Sequence, residues 1–332
     1  MTVLTPTDFP DYELLDSGEG LRLERFGPLA SGYVLIRPDP QAIWKKRLPE
    51  TEWNKADVIY DPESNRGTTT MKGGWVFKKP IPKKWILEYQ DISFYCKLSP
   101  FKHTGIFPEQ AVHWEWIVSK IEARDQRLVK KQTSLQPLSS KQLNILNLFA
   151  YTGISSLVAA KAGAKVTHVD GSFPTIGWAK ENDLLTRSKE PDFELLPKDN
   201  QSLSKLPDPP TGGSIRWILD DCLKFCQREV RRGVKYDGII MDPPIYGHGP
   251  KGETWDFNTH FPKLMELASS LLTSNPLFFI VNAYAISASS IMLENVLKDY
   301  LPNGTIESGE LALKDRSGRL LSTGIFARWI KS

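Results

Sequence analysis

The chain has 332 residues, 40% hydrophobic and 24% charged, with 42 Lys and Arg against 39 Asp and Glu and a formal net charge of +3. That length allows two domains around substantial cores, and the composition is that of a soluble globular protein. The mild basic excess permits a polyanionic partner without demanding one. Cys96, Cys222 and Cys226 form no disulfide framework and no CxxC pair, which excludes a disulfide-stapled secreted domain. The acidic start MTVLTPTDFPDYELLDSGEG lacks the profile of a signal peptide, and the apolar stretch 277–288 is too short to span a membrane and carries Asn282. A cytoplasmic protein is the expectation.

From 12 to 97, short apolar runs at 21–23, 32–36, 75–77, 85–89 and 92–96 stand between Gly, Pro, Asp and Asn, which predicts short strands. Residues 1–100 therefore read as a small β-rich domain. Lys45, Lys46, Arg47, Lys78, Lys79, Lys83 and Lys84 are interleaved there with Trp44, Trp53, Trp75 and Trp85. Basic charge neutralises phosphates and indole faces stack on bases, so the mixture suits single-stranded nucleic acid. Trp is mostly buried on average, which favours the plainer reading of core tryptophans beneath a solvated lysine face.

Val112, Trp116, Ile117 and Ile121 recur near helical spacing after Pro108, predicting a connecting helix within 107–128. The polar stretch 132–141, with Pro137, reads as a loop. Residues 101–141 thus connect to a second domain at 142–332.

That domain alternates strand and helix. It opens with LNILNLFAYTGISS at 143–156, an apolar run, a turn with Tyr151, Thr152 and Gly153, and a helix from about 154. Strands at 166–170, 217–221, 238–242 and 277–281 alternate with helices at 175–185, 222–230, 261–272 and 286–297. Repeated strand–helix units predict a parallel sheet covered on both faces. Two last β runs, 307–313 and 324–329, are joined by the turn-like 315–319 and pair as a hairpin. The stretch 188–214, with Pro191, Pro197, Pro207, Pro209 and Pro210, reads as a surface insertion.

Several strand ends carry chemistry. Asp170 lies about twenty residues beyond the glycine loop, the distance at which a carboxylate accepts from a ribose diol; it or Ser172 also suits a helix cap. Asp220 and Asp221 end the next strand, where Asp221 can face an adenine amine or cap the helix beginning at Cys222. Asp242-Pro243-Pro244-Ile245-Tyr246 ends the fourth strand, its prolines stopping the ladder and stiffening the sheet edge where open α/β sheets bind ligands. The loop 247–257, with His248, Lys251, Glu253 and Trp255, reads equally as a substrate-gripping lid or as a solvated loop packed by Trp255.

Together Asn147-Leu148-Phe149-Ala150-Tyr151-Thr152-Gly153, Asp170, Glu181-Asn182, Asp221 and Asp242–Tyr246 resemble the class I S-adenosylmethionine-dependent methyltransferases. Within them they resemble the bacterial large-subunit rRNA cytosine-C5 and guanine-N7 group. HTGIFPEQ at 103–110 is similar to a KTGFFxDQ signature that precedes the catalytic domain there. The resemblance covers about 101–330 and implies an α/β, Rossmann-like seven-stranded sheet with a reversed C-terminal hairpin. It implies S-adenosyl-L-methionine as cofactor, no metal, and RNA, rRNA foremost, as substrate. By that resemblance Phe149, Ala150, Tyr151, Thr152 and Gly153 line the methionine part, Asp170 holds the ribose with Gly171 and Ser172 flanking, and Asn182 adds a cofactor contact. Asp221 and Cys222 face the adenine, and Asp242, Pro243, Pro244 and Tyr246 form the catalytic floor under the acceptor.

The chain departs from the group in three respects: it lacks a thiol after the fifth strand, Ile245 stands between the prolines and Tyr246, and no motif of the group's usual RNA-binding module can be traced in the N-terminal domain. A cytosine-C5 enzyme carries a Cys after the fifth strand, whereas here the stretch is FFIVNAYA at 278–285, with Asn282 and Tyr284 but no thiol. Transfer to a base nitrogen is therefore the expectation. The alternatives are a protein side-chain N-methyltransferase and a nonenzymatic RNA-binding or assembly factor that retains the cofactor pocket; a nicotinamide oxidoreductase fits the single-glycine loop poorly. The oligomeric state is left open.

Overall fold

The computed structural model describes residues 2–64, 73–130, 142–188, 213–284 and 288–331. The loop expected at 132–141 and nearly all of the proline-rich stretch 188–214 lie outside the described residues. In chain order the first elements are β1 (Thr2–Leu4), β2 (Tyr12–Gly18), β3 (Leu21–Phe26), β4 (Tyr33–Pro38), α1 (Glu50–Trp53), β5 (Val58–Asp61), β6 (Gly74–Phe77), β7 (Trp85–Tyr89) and β8 (Ile92–Cys96). A 3-10 turn, Pro108–Gln110, leads into α2 (Ala111–Lys130), β9 (Asn144–Leu148), α3 (Ile154–Lys161), β10 (Lys165–Asp170), α4 (Phe173–Arg187), β11 (Ser214–Leu219) and α5 (Cys222–Arg231). The chain continues through β12 (Gly238–Met241), β13 (Tyr246–His248), β14 (Thr254–Asp256), α6 (Phe257–Ser270), β15 (Phe278–Ala283), α7 (Ser290–Tyr300), β16 (Gly304–Lys314) and β17 (Leu320–Lys331).

Two compact units result. One holds Met1–Val3, Val112–Glu310 and Gly324–Ser332; the other holds Leu4–Ala111 and Leu311–Thr323. The tip of the final hairpin thus counts with the N-terminal residues.

In the N-terminal unit, β2-β3-β4-β5-β6 form one sheet and β7-β8 a separate hairpin. One sheet face packs Leu15, Leu23 and Ile36 on Trp53 and Ala56. Asp16 fixes the following loop by accepting from the Trp53 indole at 3.0 Å and from the Leu48 backbone at 2.8 Å. Glu24, fully buried, accepts both arms of the Arg37 guanidinium at 2.6 and 2.7 Å and the Tyr12 hydroxyl at 2.8 Å. Such a fork satisfies a charge that would otherwise be costly to bury. Trp53 and Trp85 lie in the interior, which removes them from any base-stacking role; Trp44 and Trp75 are half-buried.

The larger unit is an eight-stranded sheet in the order β1-β16-β17-β15-β12-β9-β10-β11. β11, β10, β9, β12 and β15 run parallel, and β17 lies antiparallel to β15. Seven of these strands match the Rossmann-like expectation. The eighth, β1, covers the outer edge of β16, where Gly309 lies against the Thr2 backbone with no room for a Cβ. A three-residue strand has no periodicity by which to announce itself.

Both faces of the parallel strands are buried, which is why they read as continuous apolar runs. Leu146, Leu148, Met241 and Phe279 face α5 and α6, while Ile145, Ile240 and Ile280 face α2 and α3. Strand order reverses between β9 and β12, the crevice in which open α/β sheets place ligands. Several boundaries differ from the sequence reading, and caps set two of them: Ser172 accepts from Thr175 N–H so α4 begins at Phe173, and Asp221 accepts from Lys224 N–H, ending β11 at Leu219. Among the described residues no helix is long and apolar enough to cross a membrane.

Candidate active site

The chain leaves β9 into Phe149–Gly153 in an unusual backbone conformation. Phe149, Tyr151 and Gly153 have φ of +53°, +51° and +85°. Glycine adopts such angles freely, whereas bulky residues do so at a cost of about 1–3 kcal/mol, a strain that concentrates at functional sites. A Cβ on Gly153 would stand 3.0 Å from the Ala179 Cβ, so that position is also closed sterically. Gly153 is the N-cap of α3, and no side chain caps the helix. Its first-turn N–H groups and dipole therefore favour an anionic group there.

Buried polar groups hold this loop from beneath. Asn147 Nδ2 donates to Ser156 Oγ at 2.9 Å, and Ser156 Oγ lies 3.1 Å from His168 Nδ1. Burial pushes the His168 imidazole down to about 3, keeping it neutral. Asn182 donates to the Thr152 carbonyl at 2.9 Å and has 0% exposure, and Thr152 has 1%. Both were expected to contact the cofactor; they are buried beneath the loop, where Asn182 braces its backbone. Cys222 is likewise buried, accepting the Phe149 N–H at 3.3 Å.

Asp170 ends β10 beside this loop. One carboxylate oxygen accepts from Tyr151 N–H at 2.9 Å and the other from Ser172 N–H at 2.8 Å. Burial raises its pKa above the ordinary aspartate value, against the lowering effect of those two N–H groups. Each oxygen keeps a lone pair for a further donor. Asp221 performs the cap that the sequence left open, and Asp220 pairs with Arg228.

Asp242 follows β12, its N–H on the Leu148 carbonyl at 3.4 Å, so the Asp-Pro-Pro corner and the Phe149 loop leave adjacent strand ends. Pro243 is buried, Asp242 and Pro244 are half-buried, and Tyr246 is exposed. Trp255 joins the two features: its indole donates to the Pro244 carbonyl at 2.6 Å and its ring centroid stands 4.8 Å from that of Phe149. The stretch 247–257 forms a hairpin, β13-β14, packed by Trp255 and exposed at His248, Lys251 and Thr254. Its tip reaches over the β10 and β11 ends. A Cβ on Gly171 would stand 3.4 Å from His248 O, and one on Gly249 would stand 3.2 Å from the Asp221 Cβ. Lys224 fastens the tip through Glu253 at 2.8 Å and holds that carboxyl down at about 2.

The fold is shared over nearly the whole of a crystallised protein. A SAM-dependent methyltransferase from Agrobacterium tumefaciens superposes with a TM-score of 0.81 at 35% identity, covering 100% of this chain and 94% of that one. The chain belongs to the SAM-dependent methyltransferases. S-adenosylmethionine is accordingly its cofactor, and the strand ends fit it: a left-handed glycine loop on an uncapped helix, then a buried carboxylate one strand over. Two curated relatives are named ribosomal RNA large subunit methyltransferase K/L. One, from Shewanella loihica, is 31% identical over 81% of this chain; the other, from Pseudoalteromonas atlantica, is 24% identical over 89%. The chain spans about a third of the length of these relatives, 34% and 37%. No family model matches the sequence.

Two features of this methyltransferase had no signal in its sequence. Left-handed Phe149 and Tyr151 are residue types that give no warning of positive φ, and the approach of 248–250 to Gly171 is a long-range contact. His168 could have been noticed as a lone histidine within an apolar strand, where a neutral, packed ring is the ordinary outcome.

Proposed function

We infer that this methyltransferase modifies RNA, ribosomal RNA foremost, at a base nitrogen, and that it acts in the cytoplasm. The observation that carries the nitrogen assignment is the pairing of the Asp242 corner with buried thiols. Cys222 and Cys226 are 2% and 0% exposed, and burial pushes both thiols upward, so neither supplies the thiolate that ring-carbon attack requires. The RNA assignment draws on the names of the relatives.

When bound, S-adenosylmethionine supplies an electrophilic methyl group on a positively charged sulfur. Phe149, Ala150, Tyr151 and Gly153 surround its methionine part, with the α3 N–H groups toward the carboxylate. Asp170 accepts from the ribose hydroxyls between Gly171 and Ser172. Asp221 bounds the adenine, and Cys222 holds Phe149 from behind. Asp242 accepts a hydrogen bond from an N–H of the acceptor nitrogen and orients its lone pair. The nitrogen gains the methyl group and loses that proton as S-adenosylhomocysteine leaves. The rigid Pro243-Pro244 corner keeps the carboxylate in place, and Tyr246 offers its ring to the acceptor base. Alignment of this kind supplies most of the rate for a displacement that needs little acid–base help.

The test is transfer of labelled methyl from S-adenosylmethionine by wild type and Asp242→Ala into separate RNA and protein pools from cells lacking the gene. Label in RNA that vanishes with the variant is the expected result and maps the nucleotide. Label confined to protein would overturn the RNA assignment. Label on ring carbon 5 of cytosine would overturn the nitrogen assignment.

A further inference from the structure

The edge of the N-terminal sheet carries a line of aromatic rings that the methyl-transfer site does not use. In the β5-β6 pair Tyr60 lies opposite Trp75 and Val58 opposite Phe77. Period-two alternation then puts Tyr60, Trp75 and Phe77 on one face, while Ile59 on the other face packs against the core. β6 is the outermost strand of its sheet. Phe77 is 53% exposed and Phe101 is 55% exposed.

Two of these rings, Tyr60 and Trp75, are held in place. The Trp75 indole donates to Ser99 O at 2.6 Å, the Tyr60 hydroxyl donates to Pro100 O at 3.1 Å, and the Tyr60 and Trp75 rings meet edge to face at 5.2 Å. Both bonds bring the 99–101 segment, and with it Phe101, to this same edge. Rings fixed in advance lose little conformational entropy when a flat partner stacks on them.

The surrounding charge selects the partner. Residues 73–104 carry Lys78, Lys79, Lys83, Lys84, Lys97 and Lys102 against Glu88 and Asp91 alone. Lys79 is neutralised by Asp57 at 2.7 Å, but Lys78 and Lys83 are exposed and meet no carboxylate among the described residues. Exposed rings beside uncompensated lysines suit a polyanion whose bases are unstacked and available, which is single-stranded rather than duplex RNA.

We propose that Tyr60, Trp75, Phe77 and Phe101, with Lys78 and Lys83, form a stacking platform for single-stranded RNA on the N-terminal unit. The proposal rests on the RNA reading above and locates where the strand outside the reacting nucleotide is gripped. It also shifts the aromatic role away from Trp53 and Trp85, which are core, and onto two phenylalanines.

The test uses the full chain and fluorescence anisotropy with a labelled single-stranded oligoribonucleotide of about twelve nucleotides, and with its duplex. Phe77→Ala and Phe101→Ala each weaken single-strand binding by roughly five- to hundredfold, whereas Phe77→Trp retains it. Lys78→Ala combined with Lys83→Ala lowers the slope of log affinity against log salt by about 1.4. S-adenosylmethionine affinity, measured by calorimetry, stays unchanged in every variant and shows that each is folded. Wild-type binding that all these variants preserve would overturn the platform while leaving the RNA reading intact. Tighter binding of the duplex, or of an acidic peptide, would overturn it as well. A wild type that binds no RNA would remove the RNA reading and the platform together.

Discussion

The two sides of the active-site rim are built in different ways. Over β9 and β10, the loop is fixed by its backbone angles and by buried polar groups: Asn147, Ser156, His168, Asn182 and Asp170. Over β11 and β12, the β13-β14 hairpin is fastened mainly by Trp255 at its base and by the exposed Lys224–Glu253 pair at its tip. The rigid side is where a cofactor of constant shape is expected, and the lightly fastened side is where a larger, variable acceptor enters. Rigidity has been invested where the ligand never changes.

Substitutions that pair the two sides sharpen this contrast. Gly153→Ala places a Cβ at positive φ and 3.0 Å from Ala179, so it costs about 1–3 kcal/mol of stability and abolishes tight S-adenosylmethionine binding, read by denaturation and calorimetry. Gly249→Ala on the hairpin brings a Cβ to 2.6 Å from Glu253 Oε2 and 3.0 Å from Glu253 Cβ, but without the positive φ of Gly153 and away from the loop, so its effect on S-adenosylmethionine binding is smaller. Equal losses at the two glycines would break the distinction.

Asp170→Ala removes an acceptor and orphans two backbone N–H groups, so S-adenosylmethionine affinity falls by about 1.5–3 kcal/mol, roughly ten- to a hundredfold. Because burial raises the pKa of Asp170, the acidic loss of affinity has its midpoint above the ordinary value of 3.8, and Asp170→Asn abolishes that dependence. A midpoint at or below the ordinary value would show that the N–H groups outweigh burial.

His113 and His168 are held neutral by burial, each pushed from 6.5 down to about 3. The unfolded chain takes up protons on both below 6.5 while the folded one does not, so their stability is present above that pH and is lost progressively as pH falls toward 3. A urea titration series across that window detects the loss, and His168→Gln reduces its slope. Smallest of all is Lys224→Ala, since exposed ion pairs contribute little: S-adenosylmethionine KM changes by no more than about fivefold, and high salt reproduces the change in wild type.

Much of the larger unit was legible because parallel strands buried on both faces must read as unbroken apolar runs, and because prolines and caps mark their ends. Asp242-Pro243-Pro244 marked the end of β12 for the same local reason. What escaped the sequence depends on distant partners. Strand β1 is defined by Gly309 on β16, and Asn182 became a brace only when the fold brought it to Thr152. The hairpin tip at 311–323 joins the N-terminal unit through Arg316, which grips Glu13 at 2.6 and 2.9 Å, and Arg319, which donates to Ser17 O at 3.0 Å. No local pattern in that tip points to residues some 300 positions earlier. The tryptophans followed the plainer reading: Trp is mostly buried on average, and Trp53 and Trp85 lie in the core.

The strand Thr2–Leu4 lies beside Gly304–Lys314, so one edge of the sheet joins nearly the first residues of this chain to nearly the last. On a ribosome that pairing cannot begin until some 300 further residues have been made, a delay of roughly 15 to 60 s at ordinary elongation rates. Throughout that interval β1 has no partner strand, and the final hairpin, once released, closes both the sheet edge and the N-terminal unit. A nascent chain stalled before residue 304 therefore carries β1 without the strand that pairs with it.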